Sequence, residues 1–142
     1  MCDFGTLRPC HATTTHNHLD MAKVDKFEDL ICWQKARLLV KEIYKATSKG
    51  DFSRDYDAKS QIRRASLSSM SNIAEGFGRF SKKEFVRFLE ISTSSASEVK
   101  SILYVALDLE YLPAEQVQSL QNLAEEVKAL GLGLIKYLNA RN

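Results

Sequence analysis

Residues 60–88, with the sequence SQIRRASLSSMSNIAEGFGRFSKKEFVRF, decide the fold of this chain. They predict the end of one helix, a corner that contains glycine, and the start of a long second helix. Gly76 is expected to end the first of these helices, because the residue that follows a helix commonly needs a positive φ. Gly78 then leaves the connection free in φ.

The start of the second helix carries two local signals. Ser81, followed three residues later by Glu84, has the pattern of a capping box. Phe80 and Phe85 have the spacing of a hydrophobic staple, in which two apolar side chains pack across the first turn. Both signals predict a helix that begins at residue 82.

The same stretch holds the densest positive charge in the chain. Between residues 59 and 87, seven basic residues face two acidic ones, a net charge of +5, whereas residues 88–142 carry a net charge of −3. The overall charge of +2 therefore hides a polarised chain. The seven basic residues are Lys59, Arg63, Arg64, Arg79, Lys82, Lys83 and Arg87.

Three of these cations stand where a helix dipole disfavours them. Arg79, Lys82 and Lys83 lie at the predicted helix N-terminus, and a broken local rule often accompanies a function. Free N–H groups at a helix start, together with added cations, form a good anion site. In the alternative interpretation, Glu84 offsets part of the repulsion and the lysines are simply solvated. The pattern leaves both interpretations open.

Apolar residues recur in steps of three and four over four segments, residues 27–47, 56–75, 82–110 and 113 to the end. The predicted fold is therefore all-α, an antiparallel up-down four-helix bundle. Pro113 is expected at the first position of the fourth helix. Trp33 is interpreted as a core or interface residue rather than a ring that stacks on a ligand.

Small residues predict how the helices approach one another. The second helix is rich in serine, and we expect it to face the small residues 92–97 of the third helix. Gly131 and Gly133 in the fourth helix permit either a close contact or a bend, and the sequence does not choose between them. The apolar stripes of the first and fourth helices are wider than a monomer needs, which favours a homo-oligomer.

Bulk properties place the chain among single-domain proteins. With 142 residues, one domain is expected, and no apolar run reaches the length of about 20 residues that spans a bilayer. Residues 1–24 are polar and irregular and are predicted to be a disordered leader, and residues 25–142 to form the bundle. Three cysteines without framework spacing and no signal peptide indicate the cytoplasm.

Neither a metal site nor an active site is predicted. The three histidines lie near two cysteines in the leader, but their spacing matches no zinc pattern. No histidine follows residue 18, so none in the bundle could activate Cys32 as a nucleophile. Motifs for a serine hydrolase or a phosphate-binding loop are also absent from the sequence. We therefore expect no cofactor and no enzymatic activity.

Three motifs resemble those of one bacterial family, the 23S rRNA intervening-sequence proteins. Residues 29–36, DLICWQKA, resemble its opening "DLxVWQKA", and residues 83–89, KEFVRFL, resemble its "KEFxxFL". Residues 61–65 and 72–76, with Arg79, resemble its core "QLRRA…SNIAEGxGR". The chain departs from the pattern where Ser69-Met70 replaces a common Ile-Pro, and where Ser94 and Ala96 replace Gly and Leu.

This resemblance implies a four-helix-bundle protomer that assembles into a homopentamer. The family takes its name from reading frames inside insertions in 23S rRNA genes. A similar fold belongs to the accessory protein of diversity-generating retroelements, which is basic and works with RNA and a reverse transcriptase. The resemblance therefore suggests RNA, a reverse transcriptase or another protein as a partner.

Two functions remain after these arguments. The first is a non-enzymatic RNA-binding scaffold, in which the basic corner between the second and third helices contacts phosphates. The second is a protein-assembly module with no nucleic-acid role, in which the same corner binds an acidic surface. Phe77 could stack on a base, although a core role is favoured. The predicted phosphate contacts are Arg63, Arg64, Arg79, Lys82, Lys83 and Arg87.

Overall fold

A computed structural model describes residues 24–141, which contain four α-helices, two short 3₁₀ turns and no strand. The helices are α1 (Ile31–Ala46), α2 (Tyr56–Phe77), α3 (Lys82–Asp108) and α4 (Ala114–Asn139). The 3₁₀ turns, Phe27–Asp29 and Asp51–Arg54, precede α1 and α2. Residues 1–23 of the predicted leader, with its histidines and cysteines, lie outside the described residues, and Val24, its last residue, is partly buried against the core.

Contacts between α2 and α3 show that these helices are antiparallel. Near the corner, Gly76 lies against Phe88. In the middle, the hydroxyls of Ser68 and Ser95 are 2.8 Å apart. Towards the far end, the Gln61 amide donates to Glu98, at 2.6 Å. From the corner outwards, the contacting residues therefore have falling numbers on α2 and rising numbers on α3, as antiparallel helices require.

The other helices complete the bundle. Lys100 on α3 pairs with Glu125 on α4 at 3.1 Å, and Lys35 on α1 pairs with Glu126 at 3.2 Å. Helix α1 packs against both α2 and α4, so each helix has two neighbours. The predicted all-α four-helix bundle is confirmed, and the core runs along its length.

The small residues of α2 and α3 meet as the sequence predicts. The buried Ser92 hydroxyl donates to the carbonyl of Ser69, which is also buried, at 2.6 Å. Because both helices have a small serine at this contact instead of a bulky residue, the two backbones approach closely. On the other side of α3, a Cβ at Gly131 would lie 2.7 Å from Thr93 Cγ2. Gly131 therefore permits a close contact between α3 and α4.

The start of the first helix differs from the prediction. A single helix from residue 27 is wrong, because Leu30 is extended (φ −73°, ψ 125°) and separates the 3₁₀ turn from α1. Trp33 lies partly buried against the core, with its ring 5.1 Å from that of Phe27. Pro113 is the N-cap of α4 and not its first helical residue.

The exposed apolar side chains are not where the sequence suggested. The excess expected on the first and fourth helices amounts to Tyr44 and Leu132 among the described residues. Most large exposed apolar residues instead lie on α2, on α3 or in the connections after them. They are Tyr56, Leu67, Phe80, Ile91, Tyr104, Val105 and Leu109.

Candidate nucleic-acid interface

The α2–α3 corner, residues 75–87, is called the elbow below, and a close approach of two helices forms it. The prediction that Gly76 ends α2 with a positive φ is wrong: α2 continues to Phe77, and Gly78 follows with φ −74°. Gly76 is buried inside the helix, and a Cβ there would lie 2.6 Å from Phe88 Cβ. Glycine is needed at this position because α2 and α3 approach each other closely, and not because the chain turns there.

The first turn of α3 is capped, but the predicted staple does not form. The Ser81 hydroxyl accepts from the backbone N–H of Glu84 at 3.3 Å, as expected of an N-cap. Phe85 is buried and packs edge-to-face on Phe77, with ring centroids 5.9 Å apart. Phe80 has a relative exposure of 109%, so it packs against neither. Phe77 is thus a core-facing residue, and Phe80 is the aromatic side chain that the elbow presents to solvent.

Two arginines of the elbow converge on the ring of Phe88. The guanidinium carbons of Arg79 and Arg87 lie 5.3 and 4.8 Å from its centroid. Arg79 also pairs with Glu75 at 3.4 Å, and Arg87 with Glu84 at 3.2 Å. Both arginine side chains remain more than half exposed. Exposed pairs of this kind contribute about 0–1 kcal/mol, so a phosphate can compete for either arginine.

The lysines of the elbow have different surroundings. Lys82 donates to the backbone carbonyl of Arg141 at 2.6 Å, which brings the end of the described chain to the elbow. The guanidinium of Arg141 donates to the Tyr137 hydroxyl at 2.6 Å, so the contact with the elbow is made by the Arg141 backbone alone. Lys83 is exposed and has no ion pair among residues 24–141. The elbow is open to solvent, and its charge is only partly neutralised.

Arg63 and Arg64 lie elsewhere. Arg63 donates through Nε to the buried Thr47 hydroxyl at 2.7 Å, and through a terminal nitrogen to the Tyr44 carbonyl at 3.3 Å. Its guanidinium carbon also lies 4.2 Å from the centre of the Tyr44 ring. Arg63 thus satisfies a carbonyl in the last turn of α1, where a cation is favoured. Arg64 is exposed and has no ion pair within the described chain.

The six predicted phosphate contacts therefore form two groups. Arg64 and the end of α2 are separated by about 20 Å at 1.5 Å per residue. At the Arg64 end is an open groove of about 330 Å³, called the α1–α2 groove below. Its lining has three cations, two tyrosines and no acidic residue: Tyr44, Tyr56, Lys59, Ser60, Arg63, Arg64 and Leu67.

A second groove has different chemistry. It measures about 790 Å³ and runs along α3, where Glu90 and Glu98 outnumber Arg87 and serines form half of the lining. No aromatic residue lines it, and its charge suits a polyanion poorly.

Features that would suggest catalysis are not prominent. Burial raises the pKa of the Cys32 thiol to about 12, so the thiol stays protonated and is a poor nucleophile. Within residues 24–141, no group of three His, Cys, Asp or Glu side chains is arranged to hold a metal ion. None of the helices in this range combines the length and hydropathy that crossing a bilayer requires.

Comparison with known proteins identifies the family. The model of the 23S rRNA-intervening sequence protein family matches residues 28–132. The chain belongs to this family. Both the elbow and the α1–α2 groove lie within the part that matches. No curated protein matches the chain.

A solved structure supports the assignment to the 23S rRNA-intervening sequence proteins. It is the crystal structure of a protein of unknown function from the S23 ribosomal protein family of Bacteroides thetaiotaomicron VPI-5482. The two chains are 26% identical and superpose with a TM-score of 0.68. The match covers 75% of this chain and 99% of that one.

Sequence reasoning missed several residues of these two surfaces. Phe80 was assigned to a staple, and Arg141 was grouped with the acidic half of the chain. A signal for Tyr44 and Tyr56 exists, since each lies within a helical turn of a region rich in cations. No sequence signal connects Arg141 with Lys82.

Proposed function

We propose that this protein is a non-enzymatic, homo-oligomeric scaffold that binds RNA, with the elbow as its principal phosphate contact. The observation that carries the proposal is the exposure of the elbow cations: Arg79 and Arg87 are 51% and 58% exposed at their side chains, and Lys83 is unpaired within the described residues.

The geometry of the elbow suits a nucleic-acid backbone. The guanidinium groups of Arg79 and Arg87 both lie against the Phe88 ring. Guanidinium groups bind phosphate oxygens through paired hydrogen bonds. Phe80, which is free of intramolecular packing, offers a ring on which an unpaired base can stack.

Assembly into a ring would strengthen such binding. The family resemblance implies a homopentamer, and repetition of one elbow around a ring multiplies a modest charge into a larger field. The exposed apolar side chains of α3, including Tyr104 and Val105, are available for contacts between subunits. The stoichiometry is measurable by light scattering.

The test measures RNA affinity as a function of salt. Fragments of 23S rRNA are titrated with the protein and with the triple variant Arg79→Gln, Lys83→Gln, Arg87→Gln. If each cation neutralises one phosphate, the variant should reduce the slope of log affinity against log salt by about 0.7 per lost contact in single strands. The control variant Lys26→Gln, Lys49→Gln, Lys128→Gln removes the same charge elsewhere and should change the slope little. Equal slopes for both variants, or no binding by the unmodified protein, would contradict the proposal.

A second function, a protein-assembly module without an RNA role, is favoured by the exposed apolar residues of α3 and by Phe80. It predicts that the elbow variant changes the mass of the particle in solution and leaves RNA affinity unaffected. The same two preparations therefore separate the two functions.

A further inference from the structure

The α1–α2 groove combines positive charge with exposed rings. Lys59 and Arg64 have no ion pair among residues 24–141, and the hydrogen bonds of Arg63 go to a hydroxyl and a carbonyl rather than to a carboxylate. Three positive charges therefore line a small groove with no negative charge among them. Their mutual repulsion is relieved by an anion.

One flat surface in the groove is fixed before any ligand arrives. The Arg63 guanidinium stacks on Tyr44 at 4.2 Å and is held in place by its bonds to Thr47 and to the Tyr44 carbonyl. A ligand that stacks there need not pay for ordering a long, mobile side chain. Tyr56, at the first position of α2, is 78% exposed and presents a second ring.

Bases stack on tyrosine rings and on arginine planes, provided that they are unpaired. The volume of about 330 Å³ lies near the lower end of the range for small-molecule sites, which suits one nucleotide rather than a duplex. The larger groove along α3 has neither the charge nor the rings.

We infer that the α1–α2 groove binds one unpaired nucleotide of a single-stranded RNA, with its base on Tyr56 beside the Arg63–Tyr44 pair and its phosphates on Lys59 and Arg64. This inference rests on the proposed RNA-binding function and adds a second contact about 20 Å from the elbow along α2. The elbow supplies most of the phosphate contacts, and the groove adds a second place where an unpaired base can stack.

The test compares two strands that differ only in their bases. An eight-nucleotide oligoadenylate and an abasic strand of equal length are titrated by fluorescence anisotropy. Tyr56→Ala should weaken oligoadenylate binding about tenfold, the usual effect of losing one stacked base, and leave abasic binding within twofold. Tyr56→Phe should restore the affinity, because it keeps the ring. The control Leu132→Ala, at an apolar residue of α4 that is 47% exposed, should change neither affinity.

Three results would overturn the inference. The first is an equal effect of Tyr56→Ala and Leu132→Ala, and the second is an equal loss of affinity for both strands. The third is a change in particle mass for Tyr56→Ala, which would make the groove a protein contact. The elbow triple variant is measured in parallel. If that variant weakens RNA binding and Tyr56→Ala does not, the groove inference fails alone. If the unmodified protein binds neither strand, the proposed function fails as well.

Discussion

The two ends of α2 use arginine in different ways. At the elbow, Arg79 and Arg87 lie against the Phe88 ring and pair with glutamates three or four positions away in sequence, so the fold does not depend on them. At the α1–α2 groove, Arg63 reaches a buried hydroxyl and the last turn of α1. Cations that form one cluster in the sequence therefore divide into those that are available to a ligand and one that helps to hold two helices together.

Among the substitutions, the largest difference in stability is expected between alanine variants of two phenylalanines of the elbow. Phe85 is 7% exposed and Phe80 is fully exposed. Phe85→Ala should lower the free energy of unfolding by about 3–5 kcal/mol, because it leaves a cavity beside Phe77. Phe80→Ala should stay within about 0.5 kcal/mol. Urea denaturation followed by circular dichroism measures both. A comparable loss for Phe80→Ala would mean that the staple forms after all.

The next largest difference in stability is expected between alanine variants of the two glycines of the elbow. In Gly76→Ala, the new Cβ would lie 2.6 Å from Phe88 Cβ, so one of the two helices must shift. We expect a loss of about 1–3 kcal/mol in the free energy of unfolding. Gly78 is exposed with a right-handed backbone, and its nearest contact would be an ordinary 3.5 Å. Gly78→Ala should therefore change stability by no more than about 0.5 kcal/mol. Equal stabilities for the two variants would contradict the close approach of α2 and α3.

Adjacent arginines at the groove test the division of roles directly. Arg63→Ala leaves the Thr47 hydroxyl without a donor and uncovers the Tyr44 ring, and we expect a loss of about 1–2 kcal/mol in the free energy of unfolding. Arg64→Ala removes no hydrogen bond or ion pair of the described chain and should leave stability within about 0.5 kcal/mol. Arg64→Ala should instead weaken RNA binding. The comparison fails if Arg64→Ala is the more destabilising of the two.

The helices could be predicted because their signals are local. Steps of three and four in apolar residues and the cap at Ser81 do not depend on distant parts of the chain. The role of Gly76 could not be predicted in this way, because a glycine before a corner fits a helix stop and a close contact equally well. The spacing of Phe80 and Phe85 likewise does not reveal that Phe85 packs on Phe77 instead.

The candidate site was less predictable than the fold. Charge density along the sequence groups Arg64 with Arg79, but the helix between them places their backbones about 20 Å apart. Closure of the bundle brings Arg141 to Lys82, and no spacing rule anticipates that contact. The role of Arg63 depends on Thr47, which belongs to another helix. Composition therefore indicated a polyanion partner, whereas only the packing shows which cations are free to bind one.

The smallest expected effect on stability concerns the N-terminal caps of α2 and α3. Asp55 caps α2 by accepting from the Ala58 N–H at 3.1 Å, and its carboxylate also accepts from the Tyr111 hydroxyl at 2.8 Å. These bonds, the first being the larger cause, lower the pKa of Asp55 below its usual value of 3.8. The charged form is therefore favoured in the folded state. Its contribution to stability is complete above the unfolded pKa and is lost as the pH falls through the folded pKa.

Asp55→Asn keeps an amide oxygen at the cap but removes the charge. Its melting temperature should be lower than that of the unmodified protein at pH 7, and the difference should shrink as the pH falls below 3.8. Ser81→Ala is the matched change at the elbow, where the cap is a hydroxyl that does not titrate. Its deficit of about 1 kcal/mol in the free energy of unfolding should be the same at both pH values. Thermal melts at pH 7 and pH 3 measure this difference. A deficit for Asp55→Asn that persists unchanged at pH 3 would show that its bonds do not depend on charge, and the two caps would then be equivalent.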